Sequence, residues 1–259
     1  MRRSSGRLAL GLVVAMASLA AVSGCTDDPD AVATASASVV APTATGSASA
    51  DRTTSGPTST LPTVAEVFRT ARTSALAAAS GHAVGTTTHE GQPLRIDVEG
   101  TADGSNQTVL ITTPDGGTSE VVMVDDEYWL GGDEAFWVHQ TGDAQAGRAM
   151  VGKYVQISES DATENGSYAL RGVLTGLFAT PEIAALESDT RPVEAGEVDG
   201  RNAYVLGQEG GGRLWVATDG SGTVLRIVGP ASAPDDLEFS DWGRARTFEQ
   251  PSPAKIVEG

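Results

Sequence analysis

Residues 82–130, HAVGTTTHEGQPLRIDVEGTADGSNQTVLITTPDGGTSEVVMVDDEYWL, decide the fold class. Within them Leu94-Arg95-Ile96-Asp97-Val98-Glu99 alternates apolar and charged residues without a break. That is the period of a strand, and it presents Leu94, Ile96 and Val98 to one side. Four short strands are expected over 82–89, 94–100, 108–112 and 119–124, separated by Gly91, Asp103-Gly104 and Pro114-Asp115-Gly116-Gly117. Two aromatic strands are expected next, Tyr128-Trp129-Leu130 and Phe136-Trp137-Val138, across the acidic turn 131–134.

A helix is expected before this meander. Val64, Val67, Phe68, Ala71, Ala75 and Ala78 recur at helical spacing, with Glu66, Arg69, Thr70 and Thr73 opposite. Pro62 and Thr63 suit its first turn, and Gly81 is the natural left-handed cap at its end. Helical pattern returns after the meander, first over 143–150, ending at Gly152. It returns again over 167–179, where Leu170, Val173, Leu174, Leu177 and Phe178 share a face before Pro181. Five further strand signals follow, 193–198, 203–206, 213–217, 224–228 and 236–242, the first two joined by Asp199-Gly200, a strong hairpin signal. Strands interrupted by helices point to an α+β fold with one large antiparallel sheet of ten or eleven strands. So wide a sheet curls, and the economical arrangement is a half-barrel wrapping helices on its concave face.

The N-terminus reads differently. Arg2, Arg3 and Arg7 precede about 15 apolar or small residues, 8–22, and then Val22-Ser23-Gly24-Cys25, which contains the only cysteine of the 259 residues. This is the layout of a secretory signal peptide, too short to span a bilayer. The run VSGC resembles the bacterial lipobox. What that resemblance implies is cleavage before Cys25 and a diacylglyceryl group on its thiol, often with an N-acyl chain such as palmitate. Two or more chains hold a protein stably at a membrane. Residues 26–61 are almost wholly Ala, Ser, Thr, Pro, Gly and Asp, too poor in apolar bulk to fold, and are expected to act as a tether with a reach of roughly 30–35 Å. The expected organisation is a signal peptide over 1–24, lipidated Cys25 and tether over 25–61, a folded domain over 62–250 and a tail over 251–259.

None of the 34 acidic residues and three of the 17 basic ones precede Cys25, so the exported chain carries 14 against 34, a formal charge of −20. That field repels nucleic acid and anionic lipid headgroups. With only Lys153 and Lys255 as lysines, and Ala, Gly, Val, Asp and Arg abundant, the composition resembles that of a high-GC actinobacterium.

Three stretches carry a family resemblance: the segment from Asp126-Glu127-Tyr128-Trp129 to Trp137-Val138; Met150-Val151-Gly152-Lys153-Tyr154-Val155-Gln156-Ile157; and Val198-Asp199-Gly200 through Leu214-Trp215-Val216 to Leu225-Arg226-Ile227. With the lipobox and tether, the chain resembles the LppX/LprAFG group of actinobacterial lipoproteins, whose fold resembles the LolA/LolB carriers. The resemblance implies a half-open barrel capped by helices, with a hydrophobic cavity that takes acylated lipids. The cavity-lining candidates in this chain are Val67, Phe68 and Ala71 of the first helix, Trp129 and Trp137, and Leu170, Val173, Leu174, Leu177 and Phe178 of the later one.

No catalytic constellation emerges. The histidines are His82, His89 and His139, and no serine lies in a G-x-S-x-G elbow. Ser221, in Gly220-Ser221-Gly222, reads as a turn. His82 and His89 are seven apart and face oppositely on a strand, so they share no metal. The acidic runs Asp125-Asp126-Glu127 and Asp133-Glu134 lack the D-x-D-x-D-G pattern of a calcium loop. Gly210–Gly212 opens onto no helix, so it is not a phosphate loop. The expectation is a non-enzymatic, membrane-anchored envelope lipoprotein without cofactor that binds a lipid or other amphipathic ligand. The alternative is a ligand-free scaffold that docks on an envelope protein.

Overall fold

In the computed structural model, which describes residues 61–89, 91–164, 169–208 and 210–257, the first element is α1 (Val64–Ala77). It starts at a capping box. The Thr63 hydroxyl accepts from the Glu66 amide (3.3 Å), and the Glu66 carboxylate accepts from the Thr63 amide (2.9 Å). The bonds that this carboxylate accepts from the Thr63 amide and from the Thr63 hydroxyl (2.8 Å) hold the Glu66 carboxyl below its ordinary pKa. The stripe Val64, Val67, Phe68, Ala71 and Ala75 is buried as its spacing requires. The helix stops earlier than Gly81, at an extended Ala78. Gly81 is part of the next strand, paired with Gly100, so the sheet claims the backbone that would otherwise have formed a left-handed cap.

Strands β1 (Ser80–His89), β2 (Gln92–Thr101), β3 (Asn106–Thr113), β4 (Gly117–Val124) and β5 (Glu127–Gly132) form the first antiparallel meander. The β4–β5 turn is Asp125-Asp126, both at positive φ (52° and 65°), a conformation that aspartate tolerates better than most residues. Helices α2 (Glu134–Thr141) and α3 (Ala144–Met150) come next, then β6 (Tyr154–Ile157), α4 (Glu159–Glu164), α5 (Leu170–Ala179) and α6 (Pro181–Ala184). The second meander is β7 (Glu194–Val198), β8 (Arg201–Gly207), β9 (Arg213–Ala217), β10 (Val224–Val228) and β11 (Asp236–Ser240). A short β12 (Ile256–Val257) ends the described chain.

Residues 136–138 depart from the expectation of a strand and lie in α2. Asp133 is its N-cap, accepting from the Phe136 amide (2.8 Å), and Gly142 closes it in the left-handed region. The second Asp133 oxygen accepts from the Thr118 amide (2.9 Å), which ties the helix start to β4. Three bulky residues in a row fit a helix and a strand equally well, and here the caps decide.

All twelve strands join one sheet, in the order β12-β6-β5-β4-β3-β2-β1-β11-β10-β9-β8-β7, antiparallel except for the β12–β6 pair. The two meanders meet where β1 pairs with β11. At that seam Gly85 brings the backbones together: a Cβ there would lie 1.9 Å from the Asp236 carbonyl oxygen. One continuous buried cluster takes residues from β5 at one end to β8 at the other together with α1, α2, α5 and α6, so the sheet curls round its helices. Two smaller clusters lie on the outer face.

Gly85→Ala should destabilise the domain by about 1–3 kcal/mol or more, because the added methyl meets backbone that cannot move aside. Phe68→Ala should cost about 3–5 kcal/mol. Denaturant titration of each variant against the parent checks both values.

Candidate functional site

The concave side of the sheet is the candidate site, and its floor follows from strand alternation. On β3 and β4, Val109, Val121 and Met123 point toward the helices; on β5, Tyr128 and Leu130 do so. The roof is α1 with α5. On α5, Leu170, Leu174, Leu177 and Phe178 are buried. Phe68 and Phe178 meet edge to face with ring centroids 5.9 Å apart, a geometry that suits the ring quadrupoles. Val67, Phe68, Ala71, Trp137, Leu170, Leu174, Leu177 and Phe178 therefore share one apolar interior, with Val173 half-buried against it.

Trp129 is not among them. It pairs with Val122 across β4 and β5, and both side chains face outward, where Trp129 is 2% exposed under Tyr154, Phe248 and Ile256. The parity of Tyr128-Trp129-Leu130 admits one face or the other, and the inner face takes Tyr128 and Leu130.

Two polar groups lie in this interior, and sequence reasoning missed the first. Gln107 is fully buried; its amide nitrogen lies 3.5 Å from the Met123 sulfur, and its Oε1 has no hydrogen-bond partner. Trp137, 6% exposed, has an unpartnered Nε1. An unsatisfied buried donor or acceptor costs about 1–3 kcal/mol, so such groups call for a physical reason. The signal for Gln107 was its odd position on β3, in step with Val109 and Ile111.

Two concavities lie elsewhere. One, of about 300 Å³, is bordered by Val64, Arg191, Pro192, Val193, Glu194 and Val205 at the β7 end of the sheet. The other, of about 270 Å³, lies on the outer face beside Glu120, Asp133, Lys153 and Tyr154. There the Tyr154 hydroxyl donates to Glu120 (2.7 Å); burial and then this carboxylate push the phenol well above its ordinary pKa.

The remaining candidates fall into local roles. His82 is hydrogen-bonded to Asp97 (2.8 Å), and His139 is exposed on α2. Ser221 donates to Asp219 (2.6 Å) within its turn, and that bond holds the Asp219 carboxyl low. Among the described residues no three His, Cys, Asp or Glu side chains are grouped to hold a metal, and no helix is long and apolar enough to cross a membrane. Cys25 lies outside the described residues.

The fold and this interior define a class: an α+β domain with a single open, mostly antiparallel sheet closed over helices. Among solved structures the chain is similar to LprF from Mycobacterium bovis, at 13% identity over 74% of this chain and 99% of that one, with a TM-score of 0.47. It is also similar to lipoprotein LppX from Mycobacterium tuberculosis (14%, 72% and 98%, TM-score 0.40) and to the Pseudomonas aeruginosa MucA/MucB complex (15%, 74% and 59%, TM-score 0.30). The first two carry the names of the group that the sequence resembles; the likeness is one of fold. No protein-family profile and no curated protein matches the chain.

Gln107→Leu removes the orphaned amide and keeps the volume. It should stabilise the ligand-free domain by about 1–3 kcal/mol, read as a higher denaturant midpoint at unchanged slope.

Proposed function

We propose that this chain is a cell-envelope lipoprotein, anchored through an acylated Cys25, whose domain binds an amphipathic ligand with its acyl chains between the sheet and α5. The observation that carries this reading is an apolar interior that retains two unpaired polar atoms, the Gln107 acceptor and the Trp137 donor. A ligand that combines hydrocarbon with an ester, amide or hydroxyl group would satisfy both without disturbing the lining. The work is binding and carriage, and it needs no cofactor.

Helix α5 is weakly self-supporting. Helix α5 has ten residues, two of them Gly172 and Gly176, and glycine costs a helix interior roughly 1 kcal/mol against alanine. Its N-cap, Ala169, makes no side-chain cap hydrogen bond. Its attachment is chiefly the apolar face of Leu170, Leu174, Leu177 and Phe178, a face that acyl chains can replace in kind.

A second reading has its own observation. Phe68, Leu170 and Leu174 are fully buried, so in this state the interior is filled by its own side chains. That packing is compatible with a ligand-free module, whose work would then be docking on an envelope protein.

Native mass spectrometry of the unacylated chain (Cys25→Ser) expressed in an envelope-bearing host separates the two readings. The carrier reading expects a lipid adduct, and Gln107→Leu or Trp137→Phe should reduce it. No adduct, and no uptake of a fluorescent acyl probe, would sink that reading and favour the docking module. The same Cys25→Ser variant should move the chain from the membrane to the soluble fraction and abolish palmitate labelling.

A further inference from the structure

We propose that residues 246–257 form a strap that detaches from the outer face of the sheet as a unit, uncovering Trp129 while the rest of the domain stays folded.

The root of the strap is fixed. After β11 the chain turns at Asp241 and Gly243, both at positive φ, and the Gly243 amide donates to the Ser80 carbonyl (2.9 Å). Trp242 stacks on Phe239 (5.7 Å between centroids) and donates its Nε1 to the Val224 carbonyl (2.9 Å). Beyond this pin the attachments change character. The Arg246 guanidinium and amide donate to the Glu99 carboxylate. Asn106 clamps Phe248: the Phe248 amide donates to Asn106 Oδ1, and Asn106 Nδ2 donates to the Phe248 carbonyl, both at 2.8 Å. Gln250 donates to Glu127 (2.7 Å), and β12 pairs with β6 over only Ile256–Tyr154 and Val257–Val155. Side-chain clamps and a two-residue ladder replace the longer ladders that hold the other strands in place.

The strap nonetheless covers something. Val122, Val124 and Trp129 are buried on the outer face, and of the three half-buried residues packed over them, Phe248 and Ile256 belong to the strap. Arg246, Thr247, Glu249 and Gln250 face solvent, and peeling the strap away exposes chiefly this patch and the buried Glu99 carboxylate. Segments with few apolar contacts and solvent-facing hydrogen bonds open below the global unfolding free energy.

The Glu99 carboxylate is the charged anchor. Arg246 of the strap holds its pKa below the ordinary value, with His82 of β1 as a further, weaker cation; Asp97 of β2 faces the same guanidinium, and Thr108 of β3, its other neighbour, is neutral. A depressed carboxyl pKa contributes stability above the unfolded value, and that contribution is lost as pH falls through the folded one. Acid therefore loosens this anchor.

Hydrogen exchange on the intact chain, corrected for intrinsic rates, tests the proposal. The amides of Phe248 and residues 256–257 should exchange at least about tenfold faster than those of Val98 and Val109, and Asn106→Ala should quicken only the strap by about another tenfold. Lowering the pH toward 4 should widen the gap in the parent and do so less in Glu99→Gln. Strap and core amides exchanging together in the parent, or both quickening alike in Asn106→Ala, would overturn it. Native-state trypsin cleavage after Arg246 is an independent readout: a folded, dye-binding core should remain, and a parent that resists cleavage until it unfolds globally would also overturn it.

Discussion

The seam between β1 and β11 is the constraint on which the rest of the domain depends. Residues 82–86 pair with 236–240, about 150 positions away, while the same β1 pairs along its whole length with β2. Without that seam there are two meanders, each with an apolar face and an open edge. With it there is one sheet, and the intervening helices are brought onto one side of it. Gly85 lets the two backbones approach, and the inward Ala83, Leu237 and Phe239 give the seam its apolar floor. Long-range pairing of this kind carries a large loop-closure cost, so the apolar burial it completes has to be extensive.

Once the sheet is one surface, parity sorts every side chain. A period of two leaves no intermediate choice, and neighbours such as Tyr128 and Trp129 end on opposite faces. The inner face then meets α1 and α5 and excludes water, which is why an unpaired amide such as Gln107 becomes costly there. The outer face stays open to solvent except where something crosses it. Trp215, held between Arg213 and Arg226 with each guanidinium 5.6 Å from its ring, covers one apolar patch, and the chain after β11 covers the other. The interior and the strap are thus two consequences of one geometry: an open sheet has two faces to manage.

Much of this was legible from residues alone. Alternation over 94–99, Asp199-Gly200 between two strand runs, and the spacing of Leu170, Leu174 and Leu177 each specify an element by a local rule. The α+β class and a sheet near the observed width follow from their order. Several elements were not legible. Phe136-Trp137-Val138 has no period of its own, and its helix depends on Asp133 and Gly142 at the ends. Tyr154-Val155-Gln156-Ile157 is too short to be distinguished from a loop, and β12 is two residues whose only reason to be extended is β6. For the site, the helical faces were readable and the strand parity at Trp129 was not, because an alternating triplet states a period and not a phase.

The sequence by itself determined the kind of most elements and the acidic charge of the chain, because propensity and charge are local properties. The tertiary structure decided which strand adjoins which, which face of each strand is inside, and that Gln107 and the Trp137 indole are left unpaired. Those outcomes depend on contacts between residues far apart, where backbone approach and the exclusion of water choose among arrangements that local spacing leaves equal.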